Sequence, residues 1–226
     1  MTDEENRILA ETKKFAQERM SGVSPSHGWD HVLRVAGIAD KISAAEPEAD
    51  KFIIKLAAFL HDICREQEDR SRGEICHAEM GAKESLSFLL SIGLDEKKSY
   101  HVSECIKFHR FRKKDNSDNQ AVNTEPSIEA KILFDADKLD SIGAVGIGRA
   151  FLFSGEVGAK LHNHSDDISA SNAYSEEDTA FREYEVKLKH IKNRMFTEEG
   201  KRIALERDDF MKLFFDRLKN EIKNKD

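Results

Sequence analysis

The chain has 226 residues, and its 43 acidic and 36 basic side chains give a formal charge of −7 at pH 7. This acidic balance excludes nucleic-acid binding through bulk charge. Its three cysteines show no C-x-x-C spacing, which argues against a disulfide framework and favours a cytoplasmic protein. No apolar run approaches the ~18 residues of a membrane span, so we expect no membrane insertion.

Apolar residues recur at helical spacing along most of the chain, so every predicted element is a helix. The opening helix covers 3–20, and the loop at 21–29 is rich in Gly, Pro and Ser. Asp30 is predicted to cap the second helix, whose apolar residues recur at helical spacing until Pro47 ends it. The remaining predicted helices lie near 49–63, 76–91, 96–109, 127–140, 176–194 and 197–223, and Thr197 caps the last.

Two polar stretches, 112–126 and 154–176, are predicted to be loops. No segment shows the alternating pattern of a half-buried strand, and no change of composition marks a domain boundary. We therefore expect an all-α fold, in which residues 1–226 form a single-domain helical bundle.

Four polar side chains fall on apolar faces of the predicted helices: His31, His61, Asp62 and Asp137. Burying them costs free energy unless each finds a partner. Two imidazoles and two carboxylates suit a divalent cation such as Mn, Fe, Ni, Co, Zn or Mg. A single buried histidine is more often an ordinary hydrogen-bonded core residue, but that alternative would have to explain all four positions at once.

The order of these residues resembles the H…HD…D pattern of the HD-domain metal-dependent phosphohydrolases. Four phrases extend the resemblance to small stand-alone members from bacteria and archaea. They are "HGWDHVLRV" (27–35), "AAFLHDI" (57–63), "DADKLDSIGAVGIGRAF" (135–151) and "FTEEGKRIALERDDFMKLF" (196–214). The resemblance implies a helical bundle of the HD-domain type, with a metal-site core at about 27–151 and C-terminal helices at about 176–223.

What the resemblance implies is hydrolysis of phosphate esters or anhydrides, with a nucleotide as the expected substrate. Some similar proteins are nucleoside-triphosphate pyrophosphohydrolases that use manganese. In this chemistry the metal lowers the pKa of a bound water, and Asp62 is expected to be both a ligand and the catalytic residue that orients the water. Two alternatives remain: a metal- or nucleotide-binding sensor with little turnover, and a helical interaction module without metal. The oligomeric state is left open.

Further candidates surround the predicted metal. His77 and His109 fall roughly where some HD proteins hold a second metal, but Arg110 stands where a second histidine is usual. We therefore favour phosphate binding or proton transfer for these two histidines, with a helix cap or a surface position as the alternative. Arg34, one turn from His31, is suited to bidentate phosphate contacts, and its alternative is a surface ion pair.

Three more sequence features are interpreted around the same site. Asp140 lies three residues after Asp137, on nearly the same helix face. It is therefore expected to hydrogen-bond the ring nitrogen of a metal-bound histidine that does not contact the metal. Glu66 and Asp69 are candidate general acids, although a polar loop is the simpler interpretation. The basic run "KFHRFRKK" (107–114) could attract a polyanionic substrate and the 112–126 loop could close over it, unless the run is merely solvated.

Overall fold

The computed structural model describes residues 1–110, 125–163 and 175–224, and over this part of the chain the all-α prediction is confirmed. Two 3₁₀ segments, Pro25–His27 and Leu188–Arg194, accompany ten α-helices within these ranges. The helices are α1 (Asp3–Arg19), α2 (Trp29–Ser43), α3 (Lys51–Leu60), α4 (Arg65–Arg70), α5 (His77–Ser91), α6 (Glu96–Phe108), α7 (Ile128–Asp140), α8 (Gly143–Glu156), α9 (Ala180–Val186) and α10 (Glu198–Ile222).

Most helices begin at a side chain that caps the first turn. Asp50 accepts two backbone N–H groups at the start of α3, and Thr197 caps α10 as predicted by accepting the N–H of Gly200. The prediction for Asp30 is wrong. The turn Pro25–His27 leads directly into α2, so Gly28 takes the cap position and Asp30 lies inside the first turn. There its negative charge still complements the positive end of the helix dipole.

The C-terminal part differs most from the expected elements. Helix α8 lies in "GAVGIGRAFLFSGE", where repeated glycines lower helix propensity and conceal the helix from the sequence. The predicted helix at 176–194 is interrupted at Lys187, whose φ of −138° leaves the helical region, and the chain continues as a 3₁₀ segment. Helix α4 likewise occupies a stretch that was expected to be a polar loop.

The core brings α2, α3 and α7 together, and this packing positions the site. Leu56, Leu60, Leu133 and Phe134 are buried at the centre. Helix α5 packs along α6, which joins the same core through α3, and α10 packs on α7 and α8. The apolar stripes that the sequence predicted are therefore the faces that meet here.

Asp135 fastens α7 to the start of α10. Its carboxylate accepts the backbone N–H groups of Phe196 and Thr197 and the hydroxyl of Thr197, at 2.7–3.2 Å. A side chain at Gly200 would collide with this carboxylate, because its Cβ would lie 2.3 Å from Oδ2. The C-terminal helix is thus held at a fixed position on the core.

Most of the predicted 112–126 loop and half of the basic run, including Lys113 and Lys114, lie outside the described residues, which omit 111–124. The predicted loop at 154–176 is described only up to residue 163 and again from residue 175. Within the described ranges, none of the helices combines the length and the apolar character needed to cross a lipid bilayer.

Candidate metal centre

The structure brings together the four residues predicted as metal ligands. His31 lies in the first turn of α2, His61 and Asp62 follow the last residue of α3, and Asp137 lies on α7. Nε2 of His31 is 3.5 Å from Oδ2 of Asp62 and 3.4 Å from Oδ1 of Asp137. Nε2 of His61 lies 3.7 and 4.0 Å from the same two oxygens.

The orientation of the two imidazoles fits a cation. Nδ1 of His31 is 2.7 Å from Oδ2 of Asp140, and Nδ1 of His61 is 2.8 Å from the carbonyl oxygen of Ala58. These acceptors place a proton on each Nδ1 and leave each Nε2 as a lone pair. The two Nε2 atoms are only 3.2 Å apart, so a proton or a cation must lie between them. The donor set therefore fits a divalent metal ion, and its N/O chemistry does not single out one element.

A second cluster shares Asp62 with the first. Oδ1 of Asp62 lies 3.0 Å from Nε2 of His77 and 3.7 Å from Nε2 of His109. Nε2 of His77 and Nε2 of His109 are 3.1 Å apart, and Nδ1 of His109 is 2.5 Å from the carbonyl oxygen of Ile106. Each carboxylate oxygen of Asp62 thus faces one pair of imidazoles, and both clusters have ligand atoms close enough to hold an ion.

Glu68, which the sequence analysis overlooked, is a buried hydrogen-bond partner of His77. Its Oε2 lies 2.7 Å from Nδ1 of His77 and also accepts the backbone N–H of that residue. The guanidinium of Arg110 contacts Glu68 and lies 2.9 Å from the same Nδ1. If Nδ1 donates to Glu68, then Nε2 of His77 is a ligand; if Nδ1 accepts from Arg110, then Nε2–H donates to Asp62.

The two candidate general acids of the sequence analysis, Glu66 and Asp69, point elsewhere. Glu66 pairs with Arg70 at 2.5 Å, and Asp69 accepts from Arg65 at 3.1 Å, in both cases along helix α4. Neither is among the residues that line the cavity beside the clusters. Because α4 is a helix, Glu66 and Asp69 lie on its outer side, and Glu68 between them is the buried acid.

The histidines of the two clusters differ in their affinity for protons. Burial and the charge of Arg149 oppose protonation of His31, but hydrogen bonds with the surrounding carboxylates outweigh them and raise the pKa of His31 to about 9. Burial lowers the pKa of His61, and burial together with the neighbouring imidazoles lowers the pKa of His109 to about 3. A metal that enters near neutral pH therefore has to displace a proton from His31.

The carboxylates of the first cluster stay ionised. Burial would raise the pKa of Asp62, yet its electrostatic interactions and hydrogen bonds with the surrounding imidazoles hold it well below its usual value. The pKa of Asp137 is held low in the same way against the effect of burial, first by Lys138, whose Nζ lies 2.6 Å from Oδ2.

Asp140 is the anchor behind the first cluster. Besides His31 it accepts from Arg34 through Nε at 2.8 Å and Nη2 at 3.0 Å, and from Arg149 at 3.0 Å. Both forked contacts of Arg34 are thus directed at Asp140, and Arg34 does not line the cavity. The arginine that both contacts Asp140 and lines the cavity is Arg149.

Comparison with known proteins identifies the arrangement. The model of the HD domain family matches residues 28–142. The uncharacterized protein YpgQ of Bacillus subtilis (strain 168) is 33% identical over 212 residues, which cover 93% of this chain and 91% of YpgQ. This chain belongs to the HD domain family.

Several solved structures share the whole fold of this chain. The crystal structure of Bacillus subtilis YpgQ in complex with ADP has a TM-score of 0.71 at 28% identity and covers 96% of each chain. An HD-superfamily hydrolase from Bacillus thuringiensis has a TM-score of 0.69 at 26% identity, covering 97% of this chain and 98% of its own. A Lactobacillus plantarum protein has a TM-score of 0.77 over 99% of each chain, and at 24% identity this likeness concerns the fold alone.

A cavity of about 740 Å³ opens beside the two clusters of the HD domain. Its lining carries eight lysine or arginine side chains against five acidic ones, and two of those acids are Asp62 and Asp137. Four of the cations come from beyond the region that matches the family model, and we call them the C-terminal wall: Arg149, Arg182, Lys187 and Arg194. The cavity therefore attracts anions, and sequence reasoning missed this wall because it depends on how α8 and α9 fold back.

His27 also lines the cavity and was missed as a site residue. Its ring packs edge-on against Phe153 and His31, at centroid distances of 6.0 and 6.4 Å. Burial, together with the charges of Arg65 and Arg149, holds the pKa of His27 well below its usual value, so the ring is neutral. The only available signal in the sequence was its position at the start of the phrase "HGWDHVLRV".

Proposed function

We propose that this protein is a divalent-cation-dependent phosphohydrolase that acts on nucleotides. The observation that carries the proposal is the pair of imidazole clusters that share Asp62 at the floor of a cavity rich in positive charge. Hydrolysis of a phosphate ester or anhydride needs both parts, an activated water and compensation for the negative charge on phosphoryl oxygens.

Our assignment of roles begins with the ligands. His31, His61, Asp62 and Asp137 would hold one divalent ion, of the set Mn, Fe, Ni, Co, Zn and Mg. When bound, such an ion supplies a Lewis acid that lowers the pKa of a water molecule and polarises a phosphoryl oxygen. Asp140 keeps His31 in the tautomer that a ligand requires, and Asp62 is the proposed catalytic residue that accepts a hydrogen bond from the attacking water and orients it.

Two roles remain for His77 and His109. With Nδ1 of His77 bonded to Glu68, both Nε2 atoms would join Asp62 around a second ion. With Nδ1 accepting from Arg110, His77 would instead move a proton or bind phosphate, as the sequence suggested. The number of ions bound per chain separates these roles: two ions support the first, and one ion supports the second.

The nucleotide assignment rests on the cavity and on a relative. A volume of about 740 Å³ lies within the usual range for small-molecule sites, and its cations would compensate several phosphate charges. YpgQ was crystallised in complex with ADP, which is a statement about that protein and motivates the same ligand class here. Triphosphates would use the C-terminal wall most fully, since it extends the positive charge beyond the metal ligands.

The experiment is a panel of nucleoside mono-, di- and triphosphates assayed with Mn, Co, Ni, Zn and Mg, resolving phosphate from pyrophosphate. Asp137→Asn should abolish the metal-dependent turnover. Asp40→Asn is the matched control, because Asp40 is half-exposed, lies 3.6 Å from Lys55 and does not line the cavity. Tight ADP binding without turnover under any metal would favour the sensor alternative, and a metal-free protein would favour the interaction module.

A further inference from the structure

A chain of hydrogen bonds runs from α8 to His27. Glu156, at the end of α8, accepts the hydroxyl of Ser26 at 2.6 Å and its backbone N–H at 3.0 Å. The same Ser26 oxygen lies 2.9 Å from Nδ1 of His27. Arg149 donates Nε–H to the carbonyl oxygen of Ser26 at 2.7 Å, so the 3₁₀ turn that carries His27 is tied to α8 at three atoms.

This chain determines where the proton of His27 lies. A serine hydroxyl has one hydrogen, and Ser26 gives it to the carboxylate of Glu156, which can only accept. The oxygen of Ser26 must therefore accept from His27, which places the ring proton on Nδ1. In the neutral ring Nε2 is then a lone pair, and none of the described residues donates a hydrogen bond to it.

His27 lines a cavity whose charge is unusual for a hydrogen-bond acceptor. Most charged groups that line the cavity are cations, which match the oxygens of a phosphate. A bare imidazole nitrogen repels those oxygens and instead needs a partner that carries a hydrogen. His27 also stands outside both sets of candidate metal ligands, although its ring packs against the ring of His31.

We propose that Nε2 of His27 is a fixed hydrogen-bond acceptor for an O–H group in the cavity, held in that state by Ser26 and Glu156. The inference rests on the proposed function for its ligand class, while the tautomer itself can be observed without any turnover. Two donors have the required chemistry, a sugar hydroxyl of the nucleotide and the attacking water, and the test separates them.

The decisive variant is Glu156→Gln at an exposed position. The new amide oxygen can accept the N–H of Ser26, and the amide nitrogen then donates to the Ser26 hydroxyl oxygen. That hydroxyl turns its hydrogen toward Nδ1 of His27, and the ring proton moves to Nε2, which converts the acceptor into a donor. Glu104→Gln on α6 is the matched control, since Glu104 is exposed and does not line the cavity.

The first measurement is ¹⁵N NMR of histidine-labelled protein loaded with Mg²⁺ at pH 8, with His27→Gln used to assign the signal among nine histidines. We expect the Nδ1–H tautomer in the wild type and in Glu104→Gln, and the Nε2–H tautomer in Glu156→Gln. An Nε2–H tautomer in the wild type, or an unchanged tautomer in Glu156→Gln, would overturn the proposal whether or not the protein is a hydrolase.

The second measurement identifies the donor. If it is a sugar hydroxyl, the wild type should bind ADP roughly five- to tenfold more tightly than 2′,3′-dideoxy-ADP, and Glu156→Gln should lose this preference. If it is the attacking water, Glu156→Gln should lower kcat by a similar factor on both ATP and inorganic triphosphate while KM stays the same. Unchanged binding preference together with unchanged kcat would refute an acceptor role for His27.

Discussion

The metal clusters and the outer half of the C-terminal wall, Lys187 and Arg194, face the same cavity but differ in burial. In the clusters every imidazole is buried and each Nδ1 has a hydrogen-bond partner, as His31 has Asp140 and His61 has the carbonyl of Ala58. In the wall, Lys187 and Arg194 are exposed, and Lys187 pairs with Glu183 at the surface. A rigid buried centre suits chemistry that needs fixed geometry, whereas exposed cations suit the capture of a charged ligand.

The largest expected effect comes from the residue that the two clusters share. Asp62→Asn leaves the shape intact but removes the charge that faces both pairs of imidazoles. We expect metal affinity and kcat to fall by more than about a hundredfold, which is the upper range for losing an outer partner of a ligand. Metal content by elemental analysis and turnover of a triphosphate measure the loss, and retention of both would show that the clusters are not the centre.

Removing the anchor behind His31 should have a smaller effect. Asp140→Asn loses the charge that fixes the His31 tautomer, so metal affinity should fall by roughly ten- to a hundredfold. Competition with a chelator gives the affinity, and Asp40→Asn again serves as the control for a lost surface carboxylate. An affinity equal to that of the wild type would mean that Asp140 serves stability alone.

Neutralising cations of the C-terminal wall should change KM rather than kcat. Neutralising Lys187 and Arg194 together as glutamines should raise KM for a triphosphate by roughly three- to tenfold, because each exposed contact contributes less than about 1 kcal/mol. KM for a monophosphate should change less, and added salt should shrink the difference.

The matched control for the wall variant is Lys189→Gln combined with Lys201→Gln. Both residues form surface ion pairs, with Glu185 and Glu198, and neither lines the cavity. If the wall variant changes kcat rather than KM, or if the control has the same effect, the division between centre and wall is incorrect.

The smallest expected effect concerns pH in the metal-free protein. The pKa of His31 is raised to about 9 from an ordinary value of 6.5, so the proton on this ring stabilises the folded state. That contribution is complete below about pH 6.5 and is lost as the pH rises toward 9. The melting temperature of chelator-treated protein should therefore decline from pH 6.5 to 8.5, while metal affinity rises over the same window.

The opposite pH dependence of the melting temperature would refute this prediction. A melting temperature that stays level or increases between pH 6.5 and 8.5 would contradict a protonated His31. The comparison with Asp140→Asn adds a check, because removing one of the carboxylates that raise this pKa should flatten the decline.

The sequence was informative for the centre because His31, His61, Asp62 and Asp137 interrupt apolar stripes. An apolar face of a helix is expected to be buried, and a buried polar side chain requires a partner. The sequence alone therefore predicts that these four residues lie close together. The same reasoning gave the approximate helices and the cap at Thr197. It missed Glu68, since the polar run "REQEDR" shows no apolar stripe to indicate which of its acids is buried.

The wall and His27 could not be predicted by local reasoning. Arg149 lies in a glycine-rich stretch that gave no helix signal, and the partners Ser26 and Glu156 are 130 residues apart in the chain. Arg34 shows the limit of helical spacing, which gave its distance from the centre but not the side of Asp140 on which it lies. Long-range packing of α8 onto the core decides all of these positions.

Anomalous diffraction from crystals soaked in Mn²⁺, recorded at the manganese absorption edge, tests the central claim most directly. We expect a strong peak enclosed by His31, His61, Asp62 and Asp137, and a second peak between Asp62, His77 and His109 if two ions bind. No peak within bonding distance of His31 and His61, or a peak only elsewhere on the chain, would contradict the assignment of these clusters as the metal centre.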